Sequence, residues 1–131
     1  MKRTSKIARQ KAVESLNKTI ETVENIEEEV IEEFIQLGGD VNQCTNENQS
    51  PMMIAATHRS SPEVINLLAR YGADANKQDS YGLTPLMRIL KHPQLSMRKS
   101  VVKALIDMGC DLTDLKNIQG QTAIDMMLER I

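Results

Sequence analysis

Residues 72–86 read GADANKQDSYGLTPL, and both ends of this stretch recur elsewhere in the chain. Its last residues belong to TPLM at 84–87, which returns as SPMM at 50–53 and more weakly as TAID at 122–125. The copies are 34 and 38 residues apart. A repeated interval of this length is typical of a chain built from stacked supersecondary units.

The beginning of the same stretch gives a second marker that keeps step with the first. GADAN at 72–76 returns as GGDVN at 38–42 and as GCDLT at 109–113, at intervals of 34 and 37 residues. An apolar segment precedes each copy. Two markers and an apolar segment that recur at matching intervals predict successive copies of one folding unit.

Each unit predicts two short helices, for example over 51–59 and 62–70. Thr or Ser is a good N-cap, and Pro in the first turn gives up an N–H that has no partner there. Gly72 and Gly109 follow the second helix of their units, where a positive φ ends a helix at little cost. One unit cannot bury its apolar face alone, so neighbouring units must stack.

With SPMMIAA at 50–56 and TPLMRIL at 84–90, the chain resembles the ankyrin repeat family, whose pattern is Thr-Pro-Leu-His-x-Ala. Met53 and Met87 stand where the family has His, so the Thr–His hydrogen bond of the family is absent. The third unit is longer than the second, with its additional residues at 92–97.

The resemblance implies an all-α fold, an ankyrin-repeat solenoid of about three repeats with short hairpin fingers and capping helices. Residues 1–16 are predicted to form a basic amphipathic extension, and residues 17–131 the repeat domain. The repeats are expected at 17–49, 50–83 and 84–121, with a partial unit at 122–131.

Composition excludes several classes of protein. The net charge of −2 argues against a globally basic nucleic-acid binder, and no apolar run is long enough for a membrane span or signal peptide. Cys44 and Cys110 lack metal-ligand spacing and are expected to be reduced, with Cys44 exposed and Cys110 buried. We expect a cytoplasmic protein, or one delivered into a host cell's cytosol if it is a microbial effector.

No catalytic chemistry is visible in the sequence. His58 and His92 have no cysteine or carboxylate at ligand spacing, and no phosphate loop, dinucleotide fingerprint, CxxC or GxSxG occurs. We therefore expect no catalytic residue, metal, cofactor or small-molecule substrate, and interpret the chain as a non-enzyme.

The hairpin fingers are candidate binding elements. Glu47, Tyr81 and Gln119 precede the turn positions of their fingers, where the family commonly contacts partners. Tyr81 offers the amphipathic area that is enriched in binding hot spots, although it could instead pack on the neighbouring hairpin. Asp79 is expected to accept backbone hydrogen bonds within its own turn.

Basic residues form a second candidate surface, since residues 86–103 contain no acid. The predicted strip runs along the concave side of the stack and would favour an acidic partner, unless it is only a solvated rim. Its members are His58, Arg59, Arg88, Lys91 and His92.

The leading hypothesis is a non-catalytic protein–protein interaction module: an adaptor, an inhibitor or a microbial effector. The alternative is a peripheral binder of anionic membrane or nucleic acid through the basic segment 2–11, although we do not expect either partner. That segment could also be a cap on the first repeat or a targeting signal. Weak self-association is possible through the C-terminal helix, which carries Ile124, Met127 and Leu128.

Overall fold

The computed structural model describes residues 6–22, 26–45, 47–58, 62–91 and 99–130. Over these residues all regular secondary structure is helical, in seven helices. They are α1 (Lys6–Thr22), α2 (Glu28–Gln36), α3 (Pro51–His58), α4 (Glu63–Arg70), α5 (Pro85–Leu90), α6 (Lys99–Asp107) and α7 (Ala123–Glu129). The predicted all-α class is confirmed.

The helices lie in two rows. An inner row runs through α1, α3, α5 and α7, each packed on the next, while α4 packs on α6 in the outer row. Within a repeat, α3 packs on α4 and α5 packs on α6. This is the solenoid arrangement, in which each layer completes its core with the layers on either side.

The short inner helices begin where the repeated motif predicts. Thr84 Oγ1 accepts a hydrogen bond from the Met87 N–H at 3.3 Å, and Ser50 Oγ accepts one from the Met53 N–H at 3.2 Å. Both methionine side chains are fully buried. The residues that replace the family's histidine therefore fill the core, each contributing about 1.5–3 kcal/mol of apolar burial.

The boundary predicted between residues 16 and 17 falls inside α1. This helix buries Val13 and Leu16 before the boundary and Ile20 after it, and Leu16 and Ile20 belong to the core that α3 shares. The basic segment and the first repeat thus share one helix as far back as residue 6. Residues 2–5 of that segment lie outside the described residues.

The last helix begins with reciprocal capping. Thr122 Oγ1 accepts the Asp125 N–H at 3.2 Å, and Asp125 Oδ2 accepts the Thr122 N–H at 3.0 Å. The hydrogen bond from the Thr122 backbone is the main cause that holds the pKa of Asp125 below its usual value. No described helix is both long enough and apolar enough to cross a membrane.

Acidification should weaken this cap. Because the folded-state pKa of Asp125 is lowered, its contribution to stability is present above the unfolded pKa and is lost as pH falls through the folded pKa. We expect the thermal midpoint of wild type to exceed that of Asp125→Asn at pH 7, with the gap narrowing towards pH 3. Circular dichroism melts at both pH values measure this; a constant gap would contradict it.

Candidate functional site

The fingers are held by one side chain each, at equivalent positions of the three repeats. Thr45 Oγ1, Asp79 Oδ1 and Asn117 Oδ1 each accept the backbone N–H groups two and four residues ahead, at 2.8–3.3 Å. This confirms the structural role predicted for Asp79.

The turn positions are also as predicted. Asn48, Gly82 and Gly120 have φ of 60°, 74° and 77°, which lies in the left-handed region that glycine and asparagine tolerate best. The residues that precede them, Glu47, Tyr81 and Gln119, are all exposed at the tips of the fingers.

Neighbouring fingers are bonded to one another. The Ile118 N–H donates to the Tyr81 carbonyl at 3.0 Å, and Gln78 Nε2 donates to the carbonyls of Gly82 at 2.9 Å and Lys116 at 3.0 Å. Ser80 Oγ donates to the Glu47 carbonyl at 3.2 Å. The fingers therefore form a connected row.

A groove of about 430 Å³ lies between the second and third fingers and the end of α5. Its lining residues are Tyr81, Leu83, Arg88, Lys91, Asn117, Ile118 and Gln119. Four of these were candidates from the sequence, and the fold brings them together.

The most exposed apolar contribution to the groove was missed by the sequence analysis. Ile118 is 71% exposed and stands beside Tyr81, which is 62% exposed. Ile118 occupies the position that holds Ser80 in the second finger. An apolar residue at a place where another repeat has a polar one was the available signal.

Arg88 has a different environment from the one that the basic strip implied. Its Nη1 lies 2.9 Å from Asp79 Oδ2, and its Nε donates to Thr57 Oγ1 at 3.4 Å. The Asp79 side chain is only 2% exposed and that of Arg88 is 22% exposed. The charge of Arg88 is thus paired with Asp79, and the pair helps to hold the second finger in place.

Lys91, unlike Arg88, places an exposed cationic side chain in the lining of the groove. It caps α5, is exposed, and forms no ion pair within the described residues. The groove therefore combines an apolar surface, made by Tyr81 and Ile118, with the side chain of Lys91, for which the described part of the chain supplies no carboxylate partner.

Two of the other candidates, His58 and Glu47, lie outside the groove. His58 Nε2 is 3.9 Å from Glu21 Oε1, so this histidine faces the end of α1. Arg59 and His92 fall outside the described residues. Glu47 stands on the first finger, one finger away from the groove.

The cysteines show no sign of a reactive site. Cys110 is buried, as predicted, whereas Cys44 is half-buried instead of exposed, with its Sγ 3.8 Å from the Asn42 carbonyl. Burial raises the pKa of both thiols, and at Cys44 it outweighs the opposing effect of Lys77.

Comparison with known proteins identifies the repeats. A family model described as ankyrin repeats in three copies matches residues 20–116. The chain is 38% identical over 94 residues to ankyrin repeat protein R664 of Acanthamoeba polyphaga mimivirus, covering 67% of this chain and 56% of that protein. It is 37% identical over 89 residues to ankyrin repeat and SAM domain-containing protein 6 of Rattus norvegicus, covering 67% of this chain and 9% of that one. The chain thus spans about half or less of these relatives.

Proposed function

Because the chain belongs to the ankyrin repeat family, we propose that it binds a partner protein through the groove between the second and third fingers. The repeats of this family generally mediate protein–protein interaction and are generally not catalytic. The observation that carries this proposal is the pairing of Tyr81 and Ile118, two large and mostly exposed side chains, beside the cation of Lys91. Tyrosine is among the residues that most often dominate the binding energy of protein interfaces, and an exposed aliphatic neighbour extends the apolar area that a partner can cover.

The chemistry of the groove favours a segment with an apolar side chain next to a carboxylate. The apolar side chain would lie on Tyr81 and Ile118, and the carboxylate would pair with Lys91. An acidic partner also associates faster with a positively charged site. An adaptor, an inhibitor and a microbial effector acting in the cytosol all fit this mode of binding.

Two further partner classes stay predictions. Arg9 and Lys11 are exposed on α1, where they could touch an anionic membrane or a nucleic acid. We also propose weak self-association through α7, on whose free side Ile124 is 39% exposed and Leu128 is 61% exposed.

Peptide display tests the groove. Random peptides selected on the wild-type chain should be enriched in Asp or Glu beside Leu, Ile or Phe. Ile118→Glu should lower the affinity for the selected peptides at least about tenfold, equivalent to about 1.4 kcal/mol of binding free energy. Lys91→Gln should weaken them less and reduce the dependence of binding on salt.

A matched control is Lys103→Gln, which removes a lysine from α6, away from the groove. Fluorescence anisotropy of labelled peptides should give it the wild-type affinity. Equal affinities for Ile118→Glu and wild type would place the binding surface elsewhere.

A further inference from the structure

The guanidinium group of Arg88 has hydrogen-bond donors that the second finger does not use. Its Nη1 donates to Asp79 Oδ2 at 2.9 Å and its Nε donates to Thr57 Oγ1 at 3.4 Å. A guanidinium group carries five N–H donors, two of which are on Nη2. Within the described residues Nη2 has no partner, although Arg88 lines the groove between the second and third fingers. These donors are therefore available to a molecule in the groove, on a side chain that Asp79 and Thr57 already orient.

Lys91 lies on the same face of α5 as Arg88. It is the C-cap residue, three positions after Arg88, and its backbone angles of φ −85° and ψ −8° continue the helical turn. Residues three apart in a helix are neighbours on its surface. The Lys91 side chain is exposed, lines the same groove, and forms no ion pair in the part of the chain that the structure describes. One anion in the groove is therefore within reach of both cations.

Asp79 sets the net charge of this site. Arg88 and Lys91 are the charged groups among the described residues that line the groove. The Asp79 carboxylate lies against the guanidinium and offsets one of these two positive charges, which leaves one. One positive charge matches a carboxylate better than a phosphate group, which carries about 1.5–2 negative charges at pH 7. Because Asp79 is buried, water and salt screen its repulsion of an additional negative charge only weakly.

We propose that Arg88 Nη2 and Lys91 together bind one carboxylate of the partner, and that Asp79 makes the groove select this singly charged group over a phosphate. The carboxylate belongs to an Asp or Glu side chain whose apolar neighbour lies on Tyr81 and Ile118. This inference rests on the proposed function and deepens it, because it adds a second cation to the site and names the residue that determines its specificity.

The variant Asp79→Asn tests the selection. Asn117 Oδ1 holds the third finger with the equivalent two hydrogen bonds, so an Asn at position 79 should keep the second finger in place. The probes are a labelled, C-terminally amidated peptide selected on wild type, and the same peptide with its acidic residue replaced by phosphoserine. Wild type should bind the acidic peptide at least as tightly as the phosphoserine peptide. Asp79→Asn should reverse this order and bind the phosphoserine peptide about fivefold more tightly.

The matched control is Asp107→Asn, which removes the same charge from an exposed ion pair on α6. Asp107 Oδ2 lies 2.8 Å from Lys103 Nζ, and neither residue lines the groove. Fluorescence anisotropy should give this variant the wild-type ratio of the two affinities. A wild type that prefers the phosphoserine peptide, or a ratio that Asp79→Asn leaves unchanged, would overturn the assignment of Asp79.

The contact with Arg88 is tested by comparing Asp79→Asn with the double variant Asp79→Asn, Arg88→Met. Asn117 and Met126 occupy the equivalent positions of the third finger and α7, so both proteins should fold, which circular dichroism checks. Removing Arg88 should lower the affinity for the acidic peptide about tenfold, and lower much less the affinity for its neutral amide version. Equal losses for the two peptides would show that Arg88 acts only by supporting the finger.

Failure of this inference can be distinguished from failure of the proposed function. If Ile118→Glu lowers peptide affinity while the Asp79 and Arg88 variants do not behave as expected, the groove binds the partner but the carboxylate site is wrong. Selected peptides that lack an acidic residue would also contradict the carboxylate site alone. If Ile118→Glu leaves the affinity unchanged, the proposed function and the inference that rests on it both fail.

Discussion

Replacing Arg88 with Met should lower the free energy of unfolding by about 3 kcal/mol, because Asp79 would be left as a buried carboxylate without its cation. Two backbone N–H groups would still donate to Asp79, which places the expected loss at the low end of values for a broken buried pair. Urea unfolding followed by circular dichroism measures it.

The third finger and α7 show how the same site can be built without charges. Asn117 and Met126 occupy the positions equivalent to Asp79 and Arg88, and Asn117 Nδ2 lies 3.7 Å from Met126 Sδ. The neutral pair therefore works in the same framework. The double variant Asp79→Asn, Arg88→Met should recover most of the stability that Arg88→Met loses.

An exposed ion pair serves as the control. Lys103 Nζ lies 2.8 Å from Asp107 Oδ2, but both side chains are mostly exposed, so Lys103→Met should leave stability essentially unchanged. A double variant no more stable than Arg88→Met alone would show that the charge pair does more than neutralise Asp79.

Gly82→Ala should cost about 2–3 kcal/mol of unfolding free energy, from two sources. The residue has a φ of +74°, and an added Cβ would stand 2.9 Å from Asn117 Cα and 3.1 Å from the Lys116 carbonyl oxygen. Those atoms belong to the backbone of the next finger, so relief would require the two fingers to separate. The groove between them should lose its shape, and peptide binding with it.

Gly120→Ala separates the two sources. Its φ is +77°, but an added Cβ would meet nothing within 4 Å, so the expected cost is only about 1–2 kcal/mol of backbone strain. Thermal and urea unfolding of both variants should therefore differ, with Gly82→Ala the less stable. Equal losses would mean that the contact between fingers is loose.

The sequence alone determined the repeat, because the N-cap, the proline in the first turn and the glycine at the helix end each act over a few residues. It also located the finger tips, since a left-handed turn residue fixes which side chain stands beside it. The sequence is therefore sufficient to identify Tyr81 and Gln119 as tip residues.

Only the tertiary structure decided which charges are available. Arg88 and Lys91 look alike in the sequence, yet one is bonded to Asp79 while the other forms no ion pair within the described residues. The difference depends on how α5 lies beside the second finger. Ile118 likewise belongs to the candidate site only because the third finger lies against Tyr81. Local signals determine helices and turns, whereas the pairing of charges and the exposure of apolar side chains depend on contacts between layers.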